Sequence, residues 1–132
     1  MTTRGIRGAI SIESDAENEV LAATRELLTA ICEANSDLNT EHIASAIFTT
    51  TEDISSVYPA RAARQLGWDK VPMICAREIP VPGSLPFCIR VLIHWNTDKE
   101  QSEIKHIYLH NAVKLRPDLM EDDQQKSKEV QL

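Results

Sequence analysis

The segment Val71–Val91, VPMICAREIPVPGSLPFCIRV, constrains the fold of this chain more than any other. Pro80, Pro82, Gly83 and Pro86 fall within a few residues of one another, which rules out a helix and requires a turn-and-loop connection. The flanking runs, Val71–Cys75 and Cys88–His94, are short and apolar, and they read as two strands joined as a hairpin. Glu78 lies just past the first strand, and Arg90 sits in the middle of the apolar run CIRVLIHW. A guanidinium cannot shed its charge, so Arg90 must reach water, a carboxylate or a bound anion. A structural ion pair with Glu78 across the hairpin and an anion site are both open on this stretch alone.

The rest of the chain supplies the frame for that pair. Residues Thr3–Glu13 alternate, with Ile6, Ile10 and Ile12 on one side and Arg7, Ala9 and Ser11 on the other. Gly5 and Gly8 within this strand suggest a bulge or a close approach of another backbone. Ser14-Asp15-Ala16-Glu17 has the spacing of a capping box, and Val20, Thr24, Leu27, Leu28 and Ile31 recur at helical intervals, predicting a helix to Ala34. Ile43–Thr51, rich in β-branched and aromatic residues, predicts a second strand. Val57–Leu66 predicts a second helix, capped by Ser55 or Ser56 and closed by Gly67. After the hairpin, Asn96–Glu103 suits a short helix or turn capped by Asp98 or Ser102, and Ile104–Val113 carries the last strand signal. The order β-α-β-α-β-β-β gives an α/β (α+β) fold: a single domain, residues 1–118, with a mixed β-sheet and helices on one face. Residues 119–132 have the composition of a polar tail.

Composition narrows the function. A net charge of −6 over 132 residues with no basic run argues against nucleic-acid binding. No stretch approaches transmembrane length, and Cys32, Cys75 and Cys88 form no C-x-x-C pair, so a cytoplasmic protein without a structural zinc or disulfide framework is expected. His106 and His110 lack nearby carboxylate or thiol partners, which makes a metal site unexpected. Neither a phosphate-binding loop nor a nucleophile–base pair is visible. Instead, Arg7, Arg61, Arg64, Arg90 and Arg116 lie on different elements beside apolar or aromatic neighbours. Gathered together, they would bind a small di-acid through forked, charge-assisted hydrogen bonds. Arg77 reads as a surface residue without a role.

Six motifs in order, RGIRGA (Arg4–Ala9), YPARAAR (Tyr58–Arg64), the VP..C..E spacing from Val71 to Glu78, CIRV (Cys88–Val91), H.YL (His106–Leu109) and LRPD (Leu115–Asp118), make the chain resemble the monofunctional chorismate mutases of the AroH class. That resemblance implies a homotrimer of α/β subunits whose sheets form a pseudo-barrel, with active sites at subunit interfaces. It implies the intramolecular Claisen rearrangement of chorismate to prephenate, in phenylalanine and tyrosine biosynthesis, with no cofactor and no covalent catalysis. It further implies that Arg90 donates to the ether oxygen and engages a carboxylate, that Arg7 holds a carboxylate with Tyr108 hydrogen-bonding nearby, and that Glu78 accepts from the ring hydroxyl. Cys75 would line the same region. Tyr58, Arg61 and Arg64 would come from the adjacent subunit or the rim, and Leu115 and Arg116 would fold over the pocket. Tyr58 stands where phenylalanine is common in the family, and Arg61 where lysine is common. Cys75 and Glu78 are an odd number apart, so a break near Ala76-Arg77 is expected if both face one pocket. A non-catalytic trimeric sensor of an anionic metabolite is the alternative in another class; a reactive-imine deaminase of similar topology is the nearer enzyme.

Overall fold

A computed structural model of the chain describes residues 1–115; Arg116 and the tail expected over 119–132 lie outside the described residues. Five strands, β1 (Thr2–Ser11), β2 (Ile43–Thr50), β3 (Met73–Arg77), β4 (Cys88–Thr97) and β5 (Ile107–Leu109), form one mixed sheet in the order β3-β2-β4-β1-β5. β4 runs antiparallel to both β1 and β2, while β3 pairs parallel with β2 and β5 parallel with β1. Two helices accompany it, α1 (Glu17–Ala34) and α2 (Ala60–Gln65).

Strict alternation decides which face of the sheet is buried. Ile6, Gly8 and Ile10 of β1 pair with Ile93, Val91 and Ile89 of β4, and all of them face α1. Val20, Leu27, Leu28 and Ile31 of α1 close that core, as their helical spacing predicts. No bulge occurs at Gly8. The glycine is there because a Cβ would lie 2.7 Å from Ile31 Cδ1, so the helix packs directly onto the β1 backbone. The odd-numbered residues of β1, Arg7 and Ala9 among them, point to the opposite face, which carries no α-helix.

The expected hairpin does not form. β3 lies at the sheet edge and β4 at its centre, with β2 between them. All ten residues of β4 find partners along β1, from Ser11↔Cys88 to Thr2↔Thr97, which five-residue β3 could not offer. The proline-rich connection after Glu78 is accordingly a crossing over the end of β2 and not a tight turn. β3 starts at Met73, two residues later than expected, because Pro72 has no N–H and contributes only its carbonyl, to Ala46 N.

Four local expectations need correction. There is no capping box at Ser14–Glu17: Ala16 precedes α1 without a side-chain cap, and Glu19 reaches back to accept from the N–H groups of Glu13 and Ser14. Helix α2 starts at Ala60 behind Pro59, since Ser55 and Ser56 give their N–H groups to Asp15 and do not cap it. Its end is as expected, with Gly67 at φ 93° and the Gly67 and Trp68 N–H groups returning to Arg64 and Ala63 as a Schellman motif. The capping box near residue 100 belongs to Glu100 and Glu103, not Asp98 or Ser102. β5 is only three residues long because His110 takes φ 57°, turning the chain into a 3-10 segment over His110–Leu115.

Candidate active site

The site is built on the helix-free face by one transverse row. Ala76 of β3, Thr49 of β2, Arg90 of β4, Ala9 of β1 and Tyr108 of β5 are successive cross-strand partners. Ala9, the smallest side chain at the centre, leaves a floor between the guanidinium of Arg90 and the ring of Tyr108. Arg7 stands one step along β1, and Glu78 continues the β3 path by donating its N–H to Thr50 O at 2.9 Å. All of these groups except Ala76 line a cavity of about 360 Å³, with Ile47, Leu92 and Leu115 as its apolar walls.

Arg90 and Glu78 form an ion pair, Nε to Oε2 at 3.7 Å, across β2 and not across a hairpin. That separation is too long for a hydrogen bond. Arg90 Nε is buried without a hydrogen-bond partner among the described residues, while the side chain as a whole is 40% exposed. An unmet buried donor beside an open cavity can take an oxygen acceptor from a bound molecule. Thr49 Oγ1 donates to the same Glu78 Oε2. His106 Nδ1 accepts the backbone N–H of Arg7 at 3.0 Å, fixing the strand where Arg7 projects.

Tyr58, Arg61, Arg64 and Cys75 line a second concavity, of about 500 Å³, at the sheet edge beside α2. Cys75 pairs with Phe48 and so faces the helix side, whereas Glu78 belongs to the open side. No break re-aims Glu78; alternation simply continues, and within one chain Cys75 does not share the cavity of Arg90. Arg61 Nη1 lies 3.2 Å from Glu17 Oε2, and the Tyr58 ring is 71% exposed.

Arg77 has a role that its sequence context did not suggest. Its Nη1 donates to Thr50 Oγ1 and to the carbonyls of Thr51 and Ile54, pinning the loop that leads to Tyr58. Asp15 holds the same loop from the other side through the Ser55 and Ser56 N–H groups at 3.0 and 3.1 Å. Those bonds, the Ser55 backbone first, hold its carboxyl below the usual value of 3.8. Burial pushes the Cys88 thiol up, with the nearby Arg90 charge only partly opposing it. Thr49, Arg77 and Ala9 were missed because each reads as ordinary strand sequence; only the register of four strand pairs reveals them.

The family model for chorismate mutase type I matches residues 3–119. Among curated proteins, the chain is 56% identical to a chorismate mutase AroH of Thermus thermophilus over 88% of this chain and 95% of that one. It is 44% identical to a chorismate mutase AroH of Bacillus subtilis (strain 168), over 90% and 94%. Among solved structures, a chorismate mutase from Clostridium thermocellum superposes with a TM-score of 0.79 at 45% identity, covering 82% of this chain and 96% of that one. On the matched residues and the shared sheet, this chain belongs to the chorismate mutase type I family.

Proposed function

We propose that the protein rearranges chorismate to prephenate in a site shared between subunits, with the Arg90 cavity of one chain facing the Tyr58–Arg64 concavity of the next. The observation that carries this reading is the buried, unpaired Nε of Arg90 on the floor of a cavity whose other charged groups are Arg7 and Glu78. The substrate is a dianion. In the rearrangement the ether C–O bond breaks as a new C–C bond forms within the same molecule, so no proton need leave or arrive. What the protein must supply is a donor for the oxygen that gains charge and a container for the compact conformer. Arg90 is that donor, Arg7 and Tyr108 hold a carboxylate, and Glu78 accepts from the ring hydroxyl. Leu115 closes the near wall, and Arg116, outside the described residues, would follow it.

Cys75 and Glu78 face opposite sides of the sheet, so one chain cannot bring Cys75, Tyr58, Arg61 and Arg64 onto the ligand that Arg90 holds. A neighbouring chain can. Ile74 and Leu92 on the helix-free face are 63% and 37% exposed, with Ile47 beside them, and they favour covering that face by assembly into a homotrimer. The unpaired cysteines suit the cytoplasm, and no helix among the described residues is long and apolar enough to cross a membrane.

The test follows chorismate loss by ultraviolet absorbance. Arg90→Ala should lower kcat by a factor of about 100–1,000, the value of one preorganised donor. Arg64→Ala should also be impaired. Refolding the two inactive variants together at equal amounts should restore about a quarter of the sites, because in a closed ring that fraction pairs two intact halves. Full activity in folded Arg90→Ala would refute the mechanism, and no recovery on mixing would refute the shared site.

A further inference from the structure

We infer that Thr49 is a positioning residue that holds Glu78 off Arg90 and so keeps the arginine donor available. The inference rests on the reading that Arg90 and Glu78 act on the substrate. Thr49 is the direct cross-strand partner of Arg90 and faces the same cavity. Its hydroxyl donates to Glu78 Oε2, the very oxygen that lies 3.7 Å from Arg90 Nε. Arg90 Nε has no hydrogen-bond partner among the described residues. A carboxylate this near an unmet guanidinium N–H would otherwise close to about 2.8 Å, where charge-assisted pairs settle. Closure would spend the donor on Glu78 before any substrate arrived.

The backbone holds Glu78 within reach of both groups. Its N–H is tied to Thr50 O at 2.9 Å, and its Oε2 accepts from the Thr49 hydroxyl while lying 3.7 Å from Arg90 Nε. Threonine suits the holding role because a β-branched side chain on a strand has a restricted χ1, so its hydroxyl direction is set. Ile47, Leu92 and Leu115 carry no side-chain donor, and the cavity's other donors, Arg7 and Tyr108, lie on β1 and β5, beyond Arg90 from Glu78. Glu78 is therefore kept close enough to orient the guanidinium electrostatically and too far to consume its Nε hydrogen.

The experiment uses the full chain in its assembled form, with kcat and KM measured for Thr49→Val, Thr49→Ser, Glu78→Gln and the double variant Thr49→Val/Glu78→Gln. Thr49→Val keeps the shape and removes the hydroxyl. Its kcat should fall about tenfold, the order expected for losing one hydrogen bond to a charged group, with KM changed far less. Thr49→Ser should recover most of that loss. In the Glu78→Gln background, Thr49→Val should add little, since there is no carboxylate left to hold. Thermal midpoints and assembly state should match the parent; where Thr49→Val fails to fold, Thr49→Ala takes its place in the same cycle. Wild-type kcat in Thr49→Val beside an impaired Glu78→Gln overturns the role of Thr49 alone. So does an equal loss in Thr49→Ser, or an undiminished further loss in the double variant. Wild-type activity in Glu78→Gln instead overturns the reading of the site on which the inference stands.

Discussion

Gly8→Ala tests whether the seat of α1 on β1 sets both stability and the site. A Cβ at residue 8 would lie 2.7 Å from Ile31 Cδ1, 3.1 Å from Val91 Cγ1 and 3.2 Å from Leu27 Cδ1. The first contact is closer than carbon atoms pack, and Ile31 is fully buried, so its terminal methyl has no free space to take. Overpacking of this kind costs about 1–3 kcal/mol. Alanine also restricts the unfolded chain more than glycine, which offsets about 0.4–1 kcal/mol. The net expectation is a loss of about 1–2 kcal/mol, or roughly 4–7 °C in thermal midpoint for a domain of this size. Ile31→Val removes the clashing Cδ1 and by itself costs about 0.5–1.5 kcal/mol. Combined with Gly8→Ala it should cost less than the sum, with a coupling of about 1 kcal/mol. Urea unfolding of the four proteins at one fixed chain concentration measures this directly. A Gly8→Ala protein as stable as the parent, or strict additivity with Ile31→Val, would refute the packing argument.

Two further predictions concern the titrating groups. The Asp15 carboxyl, held low by the Ser55 and Ser56 bonds, contributes fully to stability above its unfolded value near 3.8 and loses that contribution as pH falls through its lower folded value. A carboxyl titration by NMR should therefore give Asp15 a midpoint below 3.8; a midpoint at or above 3.8 would show that the loop clamp is not made in solution. The Cys88 thiol, fully buried and pushed up by that burial, should resist iodoacetamide in the native protein and react on unfolding, read by peptide mass spectrometry. Native labelling of Cys88 as fast as that of half-buried Cys32 would contradict its placement.

What was legible in the sequence was what a period of 2 or 3.6 encodes. The isoleucines of β1, the stripe of α1, the close approach at Gly8 and the stop at Gly67 all follow from local pattern, and so does the projection of Arg7 away from the core. Strand neighbours were not legible that way. Val71–Cys75 and Cys88–His94 looked like partners because they are close in sequence, yet β2 separates them, and only the ten-residue register with β1 explains why β4 takes the centre. The same non-local pairing sets Thr49 opposite Arg90 and sends Arg77 to the carbonyls of Thr51 and Ile54. Family resemblance named Arg90 and Glu78, but it offered no account of what keeps them apart.

The charge distribution supports the proposed division of the site between two chains. A protein of net charge −6 repels a dianion at long range, so attraction has to be local. The Arg90 cavity sets two arginines, Arg7 and Arg90, against one glutamate, Glu78. The concavity beside α2 sets Arg61, Arg64 and Arg77 against Glu17 alone. Either half, open to water, gives only a small positive excess that solvent and salt weaken. Brought face to face as proposed, they would enclose a dianion among five arginines and two glutamates, out of reach of most screening. Desolvating so many like charges in one chain would cost fold stability, whereas two chains leave each half hydrated until they meet and the substrate arrives. On this account assembly is part of catalysis, and dilution below the dissociation constant of the assembly should remove activity while each chain stays folded.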